Sequence, residues 1–95
     1  MPDAPEFDWD DQNEGHLANH DISRLDAEDV LSGNHILLQY QVEEDEQRWL
    51  AVGATRSGRM LVIVFTVRNE SIRPITGWPA DKETAELYFK EWGME

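Results

Sequence analysis

Apolar positions follow two rhythms along this chain: helical spacing up to about residue 31, then alternation or continuous runs from residue 35 to 78. "FDWD" (7–10) sets Phe7 and Trp9 against Asp8 and Asp10, which predicts a short half-buried strand. Asp10 or Asp11 can cap a first helix running through about His20, whose apolar positions are few, Leu17 and Ala18. "DIS" breaks that helix. Ser23, three residues before Asp26, makes an approximate capping box for a second short helix, with Leu25, Ala27, Val30 and Leu31 as its apolar face. "SGN" (32–34) ends it, with Gly33 suited to the left-handed position past a helix terminus.

The strand rhythm begins with "HILLQYQV" (35–42), where Ile36, Leu38, Tyr40 and Val42 share one face, followed by an acidic turn, "EEDEQ". "RWLAVGAT" (48–55), a turn at Gly58, "RMLVIVFTV" (59–67) and "IRPITGW" (72–78) complete four strands joined by short loops, the pattern of an antiparallel meander. The continuous run from Leu61 to Val67 predicts a central strand, while Pro74, which has no amide to donate, places the last strand at an edge. "PADKETAELYFKEWG" then starts at Pro79, caps at Asp81 and carries Ala85, Leu87, Tyr88, Phe89 and Trp92 as the apolar side of a closing helix. The predicted class is α+β, with two short N-terminal helices, a four-stranded antiparallel meander and a C-terminal helix. Residues 1–6, "MPDAPE", read as a flexible lead-in to a single domain over 7–95.

Composition narrows the chemistry. A chain of 95 residues buries a modest core, so dimerisation or folding against a partner is expected. The absence of cysteine removes disulfides, thiolate metal sites and cysteine nucleophiles. The first twenty residues lack a signal-peptide pattern and no apolar run is long enough to span a bilayer, so a cytoplasmic protein without a membrane partner is expected.

The net charge of −12 is divided unevenly: residues 1–47 sum to −13 and residues 48–95 to +1. The summed field opposes sequence-independent binding of a phosphate backbone, so any nucleic-acid role must rest on a local basic patch in the second half. The acidity itself fits either work in high salt or docking of a basic partner.

His16 and His20, four apart, would share one helix face and could reach one zinc ion, but Leu17 stands where a zinc protease carries its glutamate and no third ligand has a diagnostic spacing. No metal site and no cofactor is expected. Gly53 and Gly58 make no phosphate loop, and Ser23, Ser32, Ser57 and Ser71 occupy cap and turn contexts. The arginines are more informative. Arg48 opens the second strand, Arg56 and Arg59 flank a turn, Arg68 ends the third strand and Arg73 lies in the fourth. In a meander Arg48 and Arg73 can converge on one sheet face, where guanidinium groups would hold a phosphate, or they can be ordinary strand-end charges.

The order of "FDWD", "NEGHLANHDIS", "AEDVL", "RWLAVGATRSGRMLVIVFT" and "IRPITGWPADKETAELY" resembles the BrnT-like ribonuclease toxins of type II toxin–antitoxin pairs, from Phe7 to about Tyr88. The resemblance implies a RelE-like fold and metal-independent RNA cleavage, with a cognate, DNA-binding antitoxin holding the toxin as a heterotetramer or beside a toxin homodimer. It matches Arg48 to the arginine of the family's "RxxxxG" strand, Arg59 to the residue after the turn glycine, Arg73 and Thr76 to "R-x-I-[ST]", and His20 to a histidine near the end of the first helix. Arg48, Arg73, Thr76 and His20, or His16, are thereby the expected catalytic set, with Arg56, Arg59 and Trp78 contacting RNA. Three positions depart from the family pattern: Asn13 or Glu14 replaces a common lysine, Asp21 a glycine, and Trp78 an arginine, although Trp78 could stack on a base. The competing reading is a noncatalytic acidic interaction module that keeps the toxin fold.

Overall fold

The computed structural model describes residues 5–43 and 46–93. Its elements run α1 (Asp11–Ala18), α2 (Arg24–Ser32), β1 (His35–Glu43), β2 (Glu46–Ala54), β3 (Met60–Arg68), β4 (Ser71–Pro79) and α3 (Lys82–Glu91). The strands form one antiparallel sheet in the order β1-β2-β3-β4, so the two most apolar strands are central and the proline-bearing strand is at an edge.

Local chemistry accounts for the helix starts. The Asp10 carboxylate accepts the Gln12 and Asn13 amides while the Asn13 side chain accepts the Asp10 amide, and Ser23 and Asp26 make the same reciprocal pair before α2. Asp81 accepts the Thr84 amide at the start of α3. Two ends differ from the sequence expectation. The first helix stops at Ala18 because Asp21 takes a positive φ of 61°, letting the Asp21 and Ile22 amides reach back to the Ala18 and Leu17 carbonyls. Gly33 is extended rather than left-handed, since the chain enters β1 two residues later; a Cβ there would lie 3.0 Å from the Asp29 carbonyl oxygen, a tight approach.

The two sheet faces bury different sets. Ala51, Leu61, Ile63 and Phe65 pack against Leu17 of α1, Ile22, and Ala27, Val30 and Leu31 of α2. On the opposite face Val52 and Val62 pack against Tyr88 of α3, with Ile36, Leu50, Met60 and Trp78 around them. The expected strand at "FDWD" reduces to one parallel bridge, Phe7 to Ile72, closed by backbone bonds of 2.8 Å that tie residues 6 and 8 to β4. Glu6 is thus attached to the sheet, while the rest of the expected lead-in before Pro5 and the centre of the acidic 43–47 turn lie outside the described residues. The single apolar face expected for β1 does not form: Leu38 and Tyr40 stay exposed, and the register shifts between Gln39 and Gln41. Val42, the last member of that expected face, has no described side chain.

Candidate functional site

Alternation along the strands decides which arginines meet. On the α3 face, Leu50 and Val52 of β2 lie opposite Val64 and Val62, and Val62 lies opposite Trp78. Stepping back by twos from Leu50 puts Arg48 and Glu46 on this face; stepping forward from Val64 puts Thr66 and Arg68 there, and Arg73 pairs with Thr66. The helix α3 covers only the half of this face around Val52 and Val62. Among the described residues no helix lies over the other half, and α1 borders it along the edge of β4.

The result is a groove of about 280 Å³ lined by Gln12, Asn13 and His16 of α1 together with Glu46, Arg48, Arg68, Arg73 and Ile75. Asn13 fixes the wall that α1 provides. Nearly buried, its amide nitrogen donates to the Asp8 carbonyl at 2.9 Å and the Pro74 carbonyl at 2.8 Å, and its oxygen accepts the Asp10 amide. A register shift between Val64 and Phe65 leaves Ile75 as an extra residue in β4, so that Thr76 pairs with Val64. Arg73, Ile75 and Thr76 consequently share the α3 face, which strict alternation would not allow.

Every cation in the groove meets a carboxylate. Glu46 receives the Arg48 Nε at 3.3 Å on one oxygen and Arg68 Nη2 at 2.9 Å on the other. The Arg68 guanidinium, opposed by the cost of burial and reinforced by Arg48, holds the Glu46 carboxyl below its usual range. Arg73, 10% exposed at its side chain, reaches Asp10 at 3.0 Å and Asp8 at 3.5 Å. The Asp10 carboxyl is lowered chiefly by the Asn13 amide, with Arg73 adding to it.

Of the residues singled out in the sequence, Arg48 and Arg73 line this groove together, and Thr76 is on the same face without lining it. His20 is exposed in the turn after α1 and does not line the groove; with the helix ended at Ala18, His16 alone is presented there. Arg56 and Arg59 are elsewhere. They pair with Asp29 and Asp26 and fasten the β2–β3 turn to α2. Trp78 is half-buried and packs against the α3 cluster. Sequence reasoning missed Glu46, Arg68, Gln12 and the clamp made by Asn13. The sequence reading places Glu46 in an acidic turn and Arg68 at a strand end; β2 instead begins at Glu46, and its pairing with β3 brings the two together.

This α+β domain thus gathers three arginines and a histidine along one part of a sheet face, where Glu46, Asp8 and Asp10 pair with the arginines. The family model of the ribonuclease toxin BrnT of type II toxin–antitoxin systems matches residues 9–83. The chain belongs to that family, which implies an antitoxin partner. No curated protein matches the chain. Among the described residues, no helix is long and apolar enough to cross a membrane.

Proposed function

We propose that this protein is a metal-independent endoribonuclease on a RelE-like scaffold, neutralised by a cognate DNA-binding antitoxin. The observation that carries the reading is the convergence of Arg48, Arg68 and Arg73 in one groove of a strongly acidic chain. Guanidinium groups from three different strands match the equatorial oxygens of a phosphodiester and stabilise the charge that builds on them as the ribose 2′-oxygen attacks phosphorus. Arg48 and Arg73 hold the scissile phosphate, and Thr76 donates a hydrogen bond to the bound strand. The acidic remainder keeps RNA off the rest of the surface and offers a basic antitoxin a complementary face.

The test is cleavage of a defined RNA oligonucleotide in the presence of EDTA. Wild-type protein yields products ending in a 2′,3′-cyclic phosphate, and Arg48→Ala lowers the rate by about 10² to 10³, the usual effect of deleting one transition-state donor. Co-purification with the product of the adjacent gene, together with loss of cleavage in that complex, tests neutralisation. RNA left intact by the free protein would assign it instead to the noncatalytic class of binding module.

A further inference from the structure

Transesterification of RNA needs two proton transfers besides charge stabilisation: one from the 2′-hydroxyl and one to the 5′-oxygen that leaves. Among the described residues lining the groove, Glu46 and His16 are the two whose side-chain type can take or give a proton, since an arginine guanidinium does not give one up. They enter from different walls. Glu46 is on β2 and His16 on α1, with β3 and β4 between them in the sheet order. Both side chains nonetheless line the same groove of about 280 Å³, which they enter from its two sides.

We propose that Glu46 is the general base and His16 the general acid of the cleavage reaction, and that the substrate itself releases Glu46 for this work; the assignment rests on the ribonuclease reading above. In the free protein the carboxylate accepts hydrogen bonds from Arg48 and Arg68, an arrangement that makes it a poor base. A phosphodiester in the groove competes for the same guanidinium groups. As they turn to it, Glu46 loses donors and regains basicity. The carboxylate then takes the proton of the 2′-hydroxyl as that oxygen bonds to phosphorus. The bond from phosphorus to the 5′-oxygen breaks, and protonated His16 gives its proton to that oxygen. The products are a 2′,3′-cyclic phosphate and a 5′-hydroxyl, with no water consumed and no redox change. The charged groups facing Glu46 are Arg48 on its own strand, Arg68 from β3, Arg73 from β4 and His16 from α1, with Asp8 and Asp10 holding Arg73 from the N-terminal segment.

A substrate in which sulfur replaces the leaving 5′-oxygen separates the two roles, because a thiolate leaves without protonation. On ordinary RNA, Glu46→Gln and His16→Ala each lose about 10² to 10⁴ in kcat. On the sulfur-substituted RNA, His16→Ala recovers to near the wild-type rate and Glu46→Gln does not. Glu46→Gln also binds a 2′-deoxy, uncleavable oligonucleotide more tightly than wild type, because the arginines no longer have a competing carboxylate; a variant that merely failed to fold would bind it worse. In the wild type the acidic limb of kcat lies at higher pH than that of kcat/KM. Wild-type kcat in Glu46→Gln, equal losses by His16→Ala on both substrates, or weaker binding by Glu46→Gln would overturn the assignment. No cleavage by the wild type is a different result: it removes the ribonuclease reading and the acid–base pair with it.

Discussion

Asp21 is the residue whose meaning changes most once its backbone is known. The family resemblance places glycine there, and the aspartate takes a φ of 61°, the left-handed region in which a Cβ is crowded. Its role is conformational: its amide and carbonyl contact Ala18 and Arg59. Asp21→Gly keeps both backbone contacts and relieves the crowding, offset in part by glycine's greater freedom when unfolded. The expected net gain is about 0.5 kcal/mol, or about 2–4 °C in Tm for a domain of this size, read by thermal unfolding. Asn13 carries a similar lesson. In the sequence it stands only as a replaced lysine, whereas in the fold it is a buried amide that joins α1 to β4 through the Pro74 carbonyl, 61 residues away. No local pattern announces a bond of that span.

At the scale of elements, strand ends make the site. Glu46 opens β2 and Arg68 closes β3, and antiparallel pairing of these two strands brings the carboxylate within 2.9 Å of the guanidinium. With its pKa lowered in the folded state, Glu46 contributes stability that is present above its unfolded value of about 4.3 and is lost as pH falls through the folded one. Thermal unfolding at about pH 7, 5 and 3 is therefore expected to show a shallower acid loss for Glu46→Gln than for wild type; parallel curves would mean that the pair contributes nothing to folding. The β4 irregularity is equally an element property. It follows from how β4 pairs with β3, and it turns Ile75 and Thr76 to the same side as Arg73. The motif "R-x-I-T" is legible as letters; that its arginine and threonine share a face is not, because simple alternation places them on opposite sides.

For the whole molecule, the uneven charge has a structural counterpart. Arg24, Arg56, Arg59, Arg68 and Arg73 are each ion-paired with Asp or Glu, and the groove's three arginines are matched by Glu46, Asp8 and Asp10. The remaining carboxylates are in excess, and their mutual repulsion opposes compaction. Raising NaCl from about 0.02 M to 0.5 M shortens the screening length to a few ångströms and is expected to raise Tm by about 5 °C. A fall in Tm over that range would mean that the ion pairs outweigh the repulsion. The proposed ribonuclease function predicts the opposite response for RNA binding, since salt weakens phosphate contacts.

The order of elements, the central apolar strands, the edge position of the proline strand and the starts of all three helices follow from the sequence alone, because periodicity, capping side chains and turn residues act over a few neighbours. The family is legible in the same way, from motifs kept in order. Which charges share a site was decided by the tertiary structure. Strand register, the extra residue in β4 and the short α1 put Glu46, Arg48, Arg68, Arg73 and His16 around one groove and sent Arg56, Arg59, Trp78 and His20 elsewhere. Register is fixed by burying both sheet faces at once, and that constraint is spread over the whole chain.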